Sequence, residues 1–186
     1  GNAVTVQAFP GERVSFLKRR LSMTPLVAAV AEKMMEYDRQ DVRRINHFMK
    51  VYGYASVIGC MEGLDARTQE TLELAALLHD IGIKRSEEKY QSSAGPYQEL
   101  EGPPEAEKLL AEFSLDCSMT ERICWLIGHH HTYTDIQGMD YQILVEADFL
   151  VNLEEDHVST KGILRAEERI FRTESGKKLL HLLFCP

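Results

Sequence analysis

The chain has 186 residues, a length that suits a single domain with a full hydrophobic core. Hydrophobic residues make up 44% of it and charged residues 27%, a composition that excludes a disordered chain. The formal net charge of −8 disfavours binding to a nucleic-acid backbone or an anionic membrane. It does not exclude a small phosphorylated substrate, because a bound cation can invert the local field.

The sequence shows neither a membrane span nor a signal peptide. No apolar run approaches the roughly 20 residues that a membrane span needs. The first residues lack the charged-then-apolar order of a signal peptide, so we expect a cytoplasmic protein. The four cysteines contain no CxxC pair and are predicted to be free thiols: Cys60, Cys117, Cys124 and Cys185.

Helical patterns dominate the first half of the chain. Thr24 followed by Pro25 is typical of a helix start, and apolar residues then recur at helical spacing. Asp38 is predicted to cap a second helix that ends near Gly59 and Gly63, and a third helix runs from about Asp65 to near Gly82. Residues 84–104 are polar and rich in Ser, Gly and Pro, which predicts a long loop that could close over a substrate.

The second half is predicted to be helical as well. One helix is expected over residues 104–113, and the next is capped by Ser118 with Glu121 in a capping box. Another covers residues 141–153, and two shorter helices follow, one at 163–171 and one after Gly176. No alternating pattern requires a strand. We therefore predict an all-α fold, with an N-terminal segment at 1–20 and a single-domain helical bundle at 21–186.

Several residues within these helical patterns could carry chemistry. His47, His79, Asp80 and Asp148 lie among apolar residues, and a buried carboxylate is costly unless it is paired, hydrogen-bonded or bound to a metal. Imidazole and carboxylate together suit iron, manganese, zinc or cobalt. A single His or Asp in a helix is also typical of an ordinary core residue or cap, and the His129–His131 run could simply end a helix. The residues alone leave both interpretations open.

The order of these residues resembles the HD-domain superfamily of metal-dependent phosphohydrolases. That family has an early His in an Arg-x-x-His pattern, matched by Arg44 and His47. Its defining His-Asp doublet resembles His79-Asp80 within Leu-Leu-His-Asp-Ile-Gly, and its late Asp resembles Asp148. The resemblance spans residues 24–153. It implies an HD-type helical bundle that binds a divalent ion (Mn, Fe, Co, Zn, Ni or Mg) through His47, His79, Asp80 and Asp148.

The resemblance also bears on the number of ions. Members with two metals use a His pair after an apolar helix, where this chain has His129, His130 and His131. Such members usually have a further His between the doublet and that pair. Here no His lies between Asp80 and His129, and Glu101-Gly102 stands about where a His-Gly is expected. One ion is therefore favoured over two, although Asp80 could bridge a second.

The activity implied by the resemblance is hydrolysis of a small phosphate ester, such as a nucleotide, by a metal-activated water. His130, or as second choice His129, could protonate the leaving group. Asp80 would bind the metal that activates the water. Arg44, Lys50 and Lys84 are the candidate phosphate contacts, although each also fits an ordinary solvated surface charge. Two alternatives remain: an iron-dependent oxygenase on the same fold, or a non-catalytic, metal-stabilised regulatory module. Oligomeric state is not predicted.

Overall fold

The computed structural model describes residues 23–185, and these form nine helices and no strand. The helices are α1 (Pro25–Tyr37), α2 (Val42–Met61), α3 (Ala66–Leu78), α4 (Gly82–Tyr90), α5 (Gly95–Leu110), α6 (Cys117–Ile127), α7 (Met139–Glu155), α8 (Thr160–Ile170) and α9 (Glu174–Phe184). The predicted all-α class is confirmed. The predicted segment 1–20 lies outside the described residues. None of the described helices is long and apolar enough to cross a membrane.

Three helices make the centre of the bundle. α2, α3 and α7 pack against one another, and α7 is buried on every side from Asp140 to Asp148. A helix that is apolar around most of its circumference is expected at the centre of a protein. α1 and α6 cover α3, α5 packs on α6, and α8 and α9 cover α7. His47, His79, Asp80 and Asp148 lie on α2, directly after α3 and on α7, so the candidate site lies within this centre.

One buried carboxylate ties the C-terminal helices to this centre. Glu146 of α7 is fully buried, and it accepts hydrogen bonds from the backbone N–H groups of Arg172 and Thr173. It also accepts one from the side chain of Gln142. Because these N–H groups precede α9 and have no helical partner, Glu146 satisfies them and fixes the start of that helix.

Three predictions about local structure are wrong. Residues 84–104 form most of α4 and the first part of α5 rather than a loop. Asp38 ends α1 instead of starting α2, because the side chain of Asp41 accepts the Arg44 N–H and caps α2. Ser118 does not cap α6: that helix begins one residue earlier, and Asp116 accepts the Met119 N–H. The Thr24–Pro25 start of α1 is confirmed.

Candidate metal centre

Four predicted ligands meet at the centre of the bundle. His47 comes from the middle of α2, His79 and Asp80 directly follow α3, and Asp148 lies in α7. His47 Nε2 and His79 Nε2 are 3.2 Å apart, and Asp148 Oδ1 lies 3.4 Å from the first nitrogen and 3.5 Å from the second. Asp80 Oδ2 is 3.6 Å from each. We call these four residues the primary cluster.

The hydrogen bonds of the two rings show which nitrogen atoms are available. His79 Nδ1 donates to the carbonyl oxygen of Ala76 at 2.8 Å, which leaves Nε2 of the neutral ring as a lone pair. His47 Nδ1 is 3.0 Å from Glu155 Oε2, so its proton has an acceptor there and Nε2 again faces inward as a lone pair. The two nitrogen lone pairs and the two carboxylates face one point where no hydrogen-bond donor from the described residues lies. A divalent cation at that point would interact favourably with all four groups. The residues present therefore fit a metal ion.

The same arrangement shifts the pKa values of these side chains when no ion is bound. Burial by itself lowers the pKa of His47, but the carboxylates of Asp148 and Asp80 outweigh it and raise that pKa to about 9. The pKa of His79 is raised for the same reason, against the effect of burial. Burial would raise the pKa of Asp148, but the facing imidazoles hold it well below its ordinary value. The cluster thus strongly favours positive charge at its centre.

A second group of ligand atoms shares Asp80. His130 is fully buried, and its Nε2 lies 3.0 Å from Asp80 Oδ1, while its Nδ1 donates to the Ile127 carbonyl at 2.8 Å. His131 Nε2 is 4.0 Å from the same Asp80 oxygen and 3.1 Å from Gln98 Oε1. Asp80, His130 and His131 therefore form a second cluster, whose ligand atoms lie within 4.8 Å of one another.

The third histidine of the run faces elsewhere. The ring of His129 stacks on Trp125, with centroids 4.1 Å apart, and its Nδ1 donates to the Trp125 carbonyl at 2.6 Å. His129 belongs to neither group of ligand atoms found among residues 23–185. The structure therefore brings His130 and His131 to Asp80, whereas the sequence analysis ranked His129 second.

The turn that carries these histidines is held by residues that the sequence analysis missed. Glu99 Oε1 accepts the N–H of His131 at 3.0 Å. The hydroxyl of the buried Tyr141 contacts the carbonyl oxygens of His129 and Thr132. No motif marks these two side chains, because their partners lie 9 to 33 residues away, in the turn after α6.

Two other missed residues do have a signal in the sequence. Asn152 Nδ2 donates to Asp148 Oδ1 at 2.8 Å, and Glu155 contacts His47. They lie four and seven residues after Asp148, a spacing that places all three side chains on one face of a helix. A polar face within the otherwise apolar pattern of α7 is therefore the sequence signal that indicates Asn152 and Glu155.

A cavity of about 340 Å³ opens onto the primary cluster, with His47 and Asp80 in its wall. That volume suits a small ligand. Arg43 and Arg44 also line it, together with acidic residues that include Asp41 and Glu87. Arg44 forms ion pairs with Asp38, Asp41 and Glu87 at 3.2 to 3.5 Å.

The other predicted phosphate contacts are engaged elsewhere. Lys50 Nζ donates to Glu154 and Glu155, each at 3.0 Å. Lys84 Nζ donates to the Tyr37 carbonyl at 2.8 Å and lies 4.9 Å from the centre of the Tyr37 ring. Arg43, which the sequence analysis did not select, forms no ion pair with any of residues 23–185.

The fold and the two clusters define a class of protein, a helical bundle with a histidine–aspartate centre suited to a divalent cation. The family model of the HD domain matches residues 44–170, which is more than half of the chain. The chain belongs to the HD domain family, as the sequence predicted. Its clusters are those of a family that binds divalent metals.

A solved structure gives a second comparison. The chain is similar to a predicted HD superfamily hydrolase from an uncultured Thermotogales bacterium, with 25% sequence identity and a TM-score of 0.62. The similarity covers 84% of this chain and 84% of that one. No curated protein matches the sequence.

Proposed function

We propose that this protein is a metal-dependent phosphohydrolase that cleaves a small phosphate ester. The observation that carries the proposal is the convergence of two imidazole lone pairs and two carboxylates on one point, beside a cavity that His47 and Asp80 line. The description of the structural relative as a predicted hydrolase supports the reaction class. The cavity volume supports a small substrate rather than a macromolecule.

His47, His79, Asp80 and Asp148 would hold the ion. When bound, a divalent ion at such a site polarises a phosphoryl oxygen and lowers the pKa of a coordinated water. Asn152 keeps the Asp148 carboxylate in place through its hydrogen bond. The guanidinium groups of Arg43 and Arg44 line the cavity, and their planar donors match the oxygens of a phosphate.

Proton transfer to the leaving group is assigned to His130. Its Nδ1 proton is fixed on the Ile127 carbonyl and its Nε2 lies 3.0 Å from Asp80 Oδ1, so a second proton on Nε2 would be held by that carboxylate. An imidazolium held by a carboxylate can release that proton to an alkoxide leaving group. His129 is not assigned a role, because its ring is stacked on Trp125.

The proposal keeps a single ion in the primary cluster. Asp80, His130 and His131 offer a place for a second, so the number of bound ions is part of the test. A second ion there would replace the Nε2 proton of His130, and His130 would then be a ligand rather than an acid. The two roles exclude one another, which makes metal stoichiometry informative about mechanism.

The test combines metal analysis with an activity screen. Purified protein is analysed for bound metal, then assayed on nucleoside monophosphates and p-nitrophenyl phosphate with Mn, Fe, Co, Ni, Zn or Mg added. We expect activity that a chelator removes and that one of these ions restores. His79→Ala and Asp148→Ala should lose both metal and activity.

His181→Ala is the matched control, since His181 is an exposed histidine of α9 whose partner is Glu167. It should keep the metal and the activity of the unmodified protein. Retention of metal and activity by His79→Ala and Asp148→Ala would contradict the proposal. So would a metal-loaded protein that cleaves none of these esters.

A further inference from the structure

The three buried histidines of the site are oriented in two different ways. His79 and His130 each donate Nδ1–H to a backbone carbonyl three residues earlier, at 2.8 Å. His79 directly follows α3 and His130 lies three residues after the end of α6, and the last carbonyls of a helix have no intrahelical partner. These two rings are therefore positioned by the helix ends to which they are attached.

His47 has no such carbonyl, because it lies in the middle of α2, where the carbonyl groups are used by the helix itself. Its Nδ1 instead meets Glu155 Oε2 at 3.0 Å, a contact between residues 108 positions apart. Glu155 is the last residue of α7, the helix that also supplies Asp148. One helix thus provides both a ligand and the group that faces another ligand's ring.

The Glu155 carboxylate is itself held in place. Its Oε1 accepts a hydrogen bond from Lys50 Nζ at 3.0 Å, one turn along α2 from His47. Its side chain is only 16% exposed. The group facing His47 is therefore a carboxylate with a fixed orientation.

We propose that Glu155 is the positioning residue for His47, holding the Nδ1 proton so that the Nε2 lone pair faces the ion of the primary cluster. Lys50, predicted from the sequence to contact substrate, anchors the carboxylate instead. The inference rests on the metal-dependent function proposed above. Carboxylate partners of this kind orient a ligating imidazole and raise its basicity.

The alternative is that Glu155 and Lys50 form a surface ion pair that has no effect on metal binding. Glu154 serves as a control that distinguishes this alternative from a positioning role. Glu154 also accepts a hydrogen bond from Lys50 at 3.0 Å and carries the same charge at the adjacent position. Among residues 23–185, His47 contacts Glu155 and not Glu154. Removing either carboxylate changes the net charge equally, but only one change affects the His47 ring.

The experiment measures Mn²⁺ affinity by calorimetry for the unmodified protein, Glu155→Ala and Glu154→Ala. We expect Glu155→Ala to weaken binding by roughly 10- to 100-fold, the cost typical of losing such a partner. Glu154→Ala should stay within about threefold, as expected for a screened surface charge. Equal losses in both variants would show a general charge effect and overturn the inference.

A conservative variant separates orientation from charge. In Glu155→Gln the amide oxygen can still accept the His47 Nδ1 proton, so its affinity should lie closer to the unmodified protein than to Glu155→Ala. Affinity as weak as that of Glu155→Ala would overturn a positioning role. Urea unfolding of each metal-free variant checks that the fold is intact.

The outcome is distinguishable from that of the proposed function, because no hydrolysis is measured. If the unmodified protein and Glu155→Ala bind Mn²⁺ equally well, the inference about Glu155 fails and the hydrolase proposal stands. If the unmodified protein binds no divalent ion, both fail. A substrate screen without any hydrolysis would leave the affinity ratio, and the inference about Glu155, unchanged.

Discussion

Adjacent histidines in one short turn have different surroundings. His130 is fully buried with Nε2 on Asp80, whereas His129 lies one residue earlier and stacks on Trp125. His131 reaches Asp80 only at 4.0 Å, and burial together with the neighbouring His130 lowers its pKa to about 4. The direction of each ring follows from the turn after α6, so neighbouring residues should respond very differently to substitution.

The first prediction concerns this contrast. His130→Ala should lower kcat/KM by roughly 10²–10⁴-fold, the range typical for loss of a positioned acid. His129→Ala should change it by less than about threefold, since only its contact with Trp125 is lost. Steady-state kinetics on the best ester from the screen, with metal content measured in parallel, provides the comparison.

Metal content decides between the two roles of His130. Unchanged metal content with lost activity supports proton donation, and loss of one equivalent of metal supports a ligand in the second cluster. Comparable activity losses in His129→Ala and His130→Ala would contradict the assignment drawn from the turn.

At the scale of residues, the four side chains that the sequence selected as ligands lie together in the fold, whereas most residues around them were not selected. His79-Asp80 and Asp148 stand out because polar groups flanked by apolar residues need a partner. The ranking of His129 over His131 was based on register alone, and register does not determine side-chain direction in a turn after a helix. Arg43, which lines the cavity, lies one residue outside the Arg-x-x-His pattern and was not selected for that reason.

At the scale of elements, the hairpin of α4 and α5 lies close to the site. α4 begins at Gly82, two residues after Asp80, and packs on α5 so closely that a Cβ at Gly82 would lie 2.6 Å from Gly102 N. Gln98, which contacts His131, belongs to the same stretch of α5. The close approach of the two helices therefore influences the distance between Asp80 and His131.

The sequence predicted a loop here because glycine, proline and serine usually interrupt helices. Pro96 instead lies in the first turn of α5, where its missing N–H costs nothing. Gly82 and Gly102 serve helix packing, since a larger residue at Gly102 would meet Ile127 Cγ2 at 2.6 Å. Composition does not distinguish a glycine that breaks a helix from one that lets two helices touch.

The second prediction tests this packing. Gly82→Ala should destabilise the protein by about 1–3 kcal/mol, because the added methyl group meets the backbone of α5, which cannot move aside. Gly53→Ala is the matched control: Gly53 lies inside α2 with nothing within 4 Å of the added atom. That variant should be more stable by about 0.5–1 kcal/mol, the gain expected inside a helix.

Urea unfolding in the presence of a chelator measures both glycine variants without any contribution from metal. Gly82→Ala should also lose activity, since the displaced α4 is attached directly to Asp80. A stability of Gly82→Ala equal to that of the unmodified protein would mean that the two helices can separate without cost, and it would contradict the packing argument.

At the scale of the whole molecule, the candidate ligands are close in space and far apart in sequence. His47, His79 and Asp148 come from α2, the end of α3, and α7, which are the three helices at the centre of the bundle. Periodicity predicts the existence of such helices, but their mutual packing depends on contacts between distant residues. The family resemblance supplied that arrangement, and the residues alone did not.

The last prediction follows from this architecture. Because the cluster forms only when the three central helices are packed, we expect a divalent ion to bind the folded state and not the unfolded chain. An ion present at 100 times its dissociation constant then adds about 2.7 kcal/mol to the free energy of unfolding. For a chain of this length, that corresponds to a rise in Tm of roughly 5–10 °C.

Thermal unfolding with Mn²⁺ added stepwise to chelator-treated protein measures the shift. The rise should be absent in His79→Ala, which lacks one central ligand, and preserved in His181→Ala, whose histidine lies on α9 away from the cluster. An equal rise in both variants would show that Mn²⁺ binds elsewhere on this acidic chain. A rise in Tm that requires His79 and not His181 would instead show that binding of Mn²⁺ to the cluster is coupled to packing of the central helices.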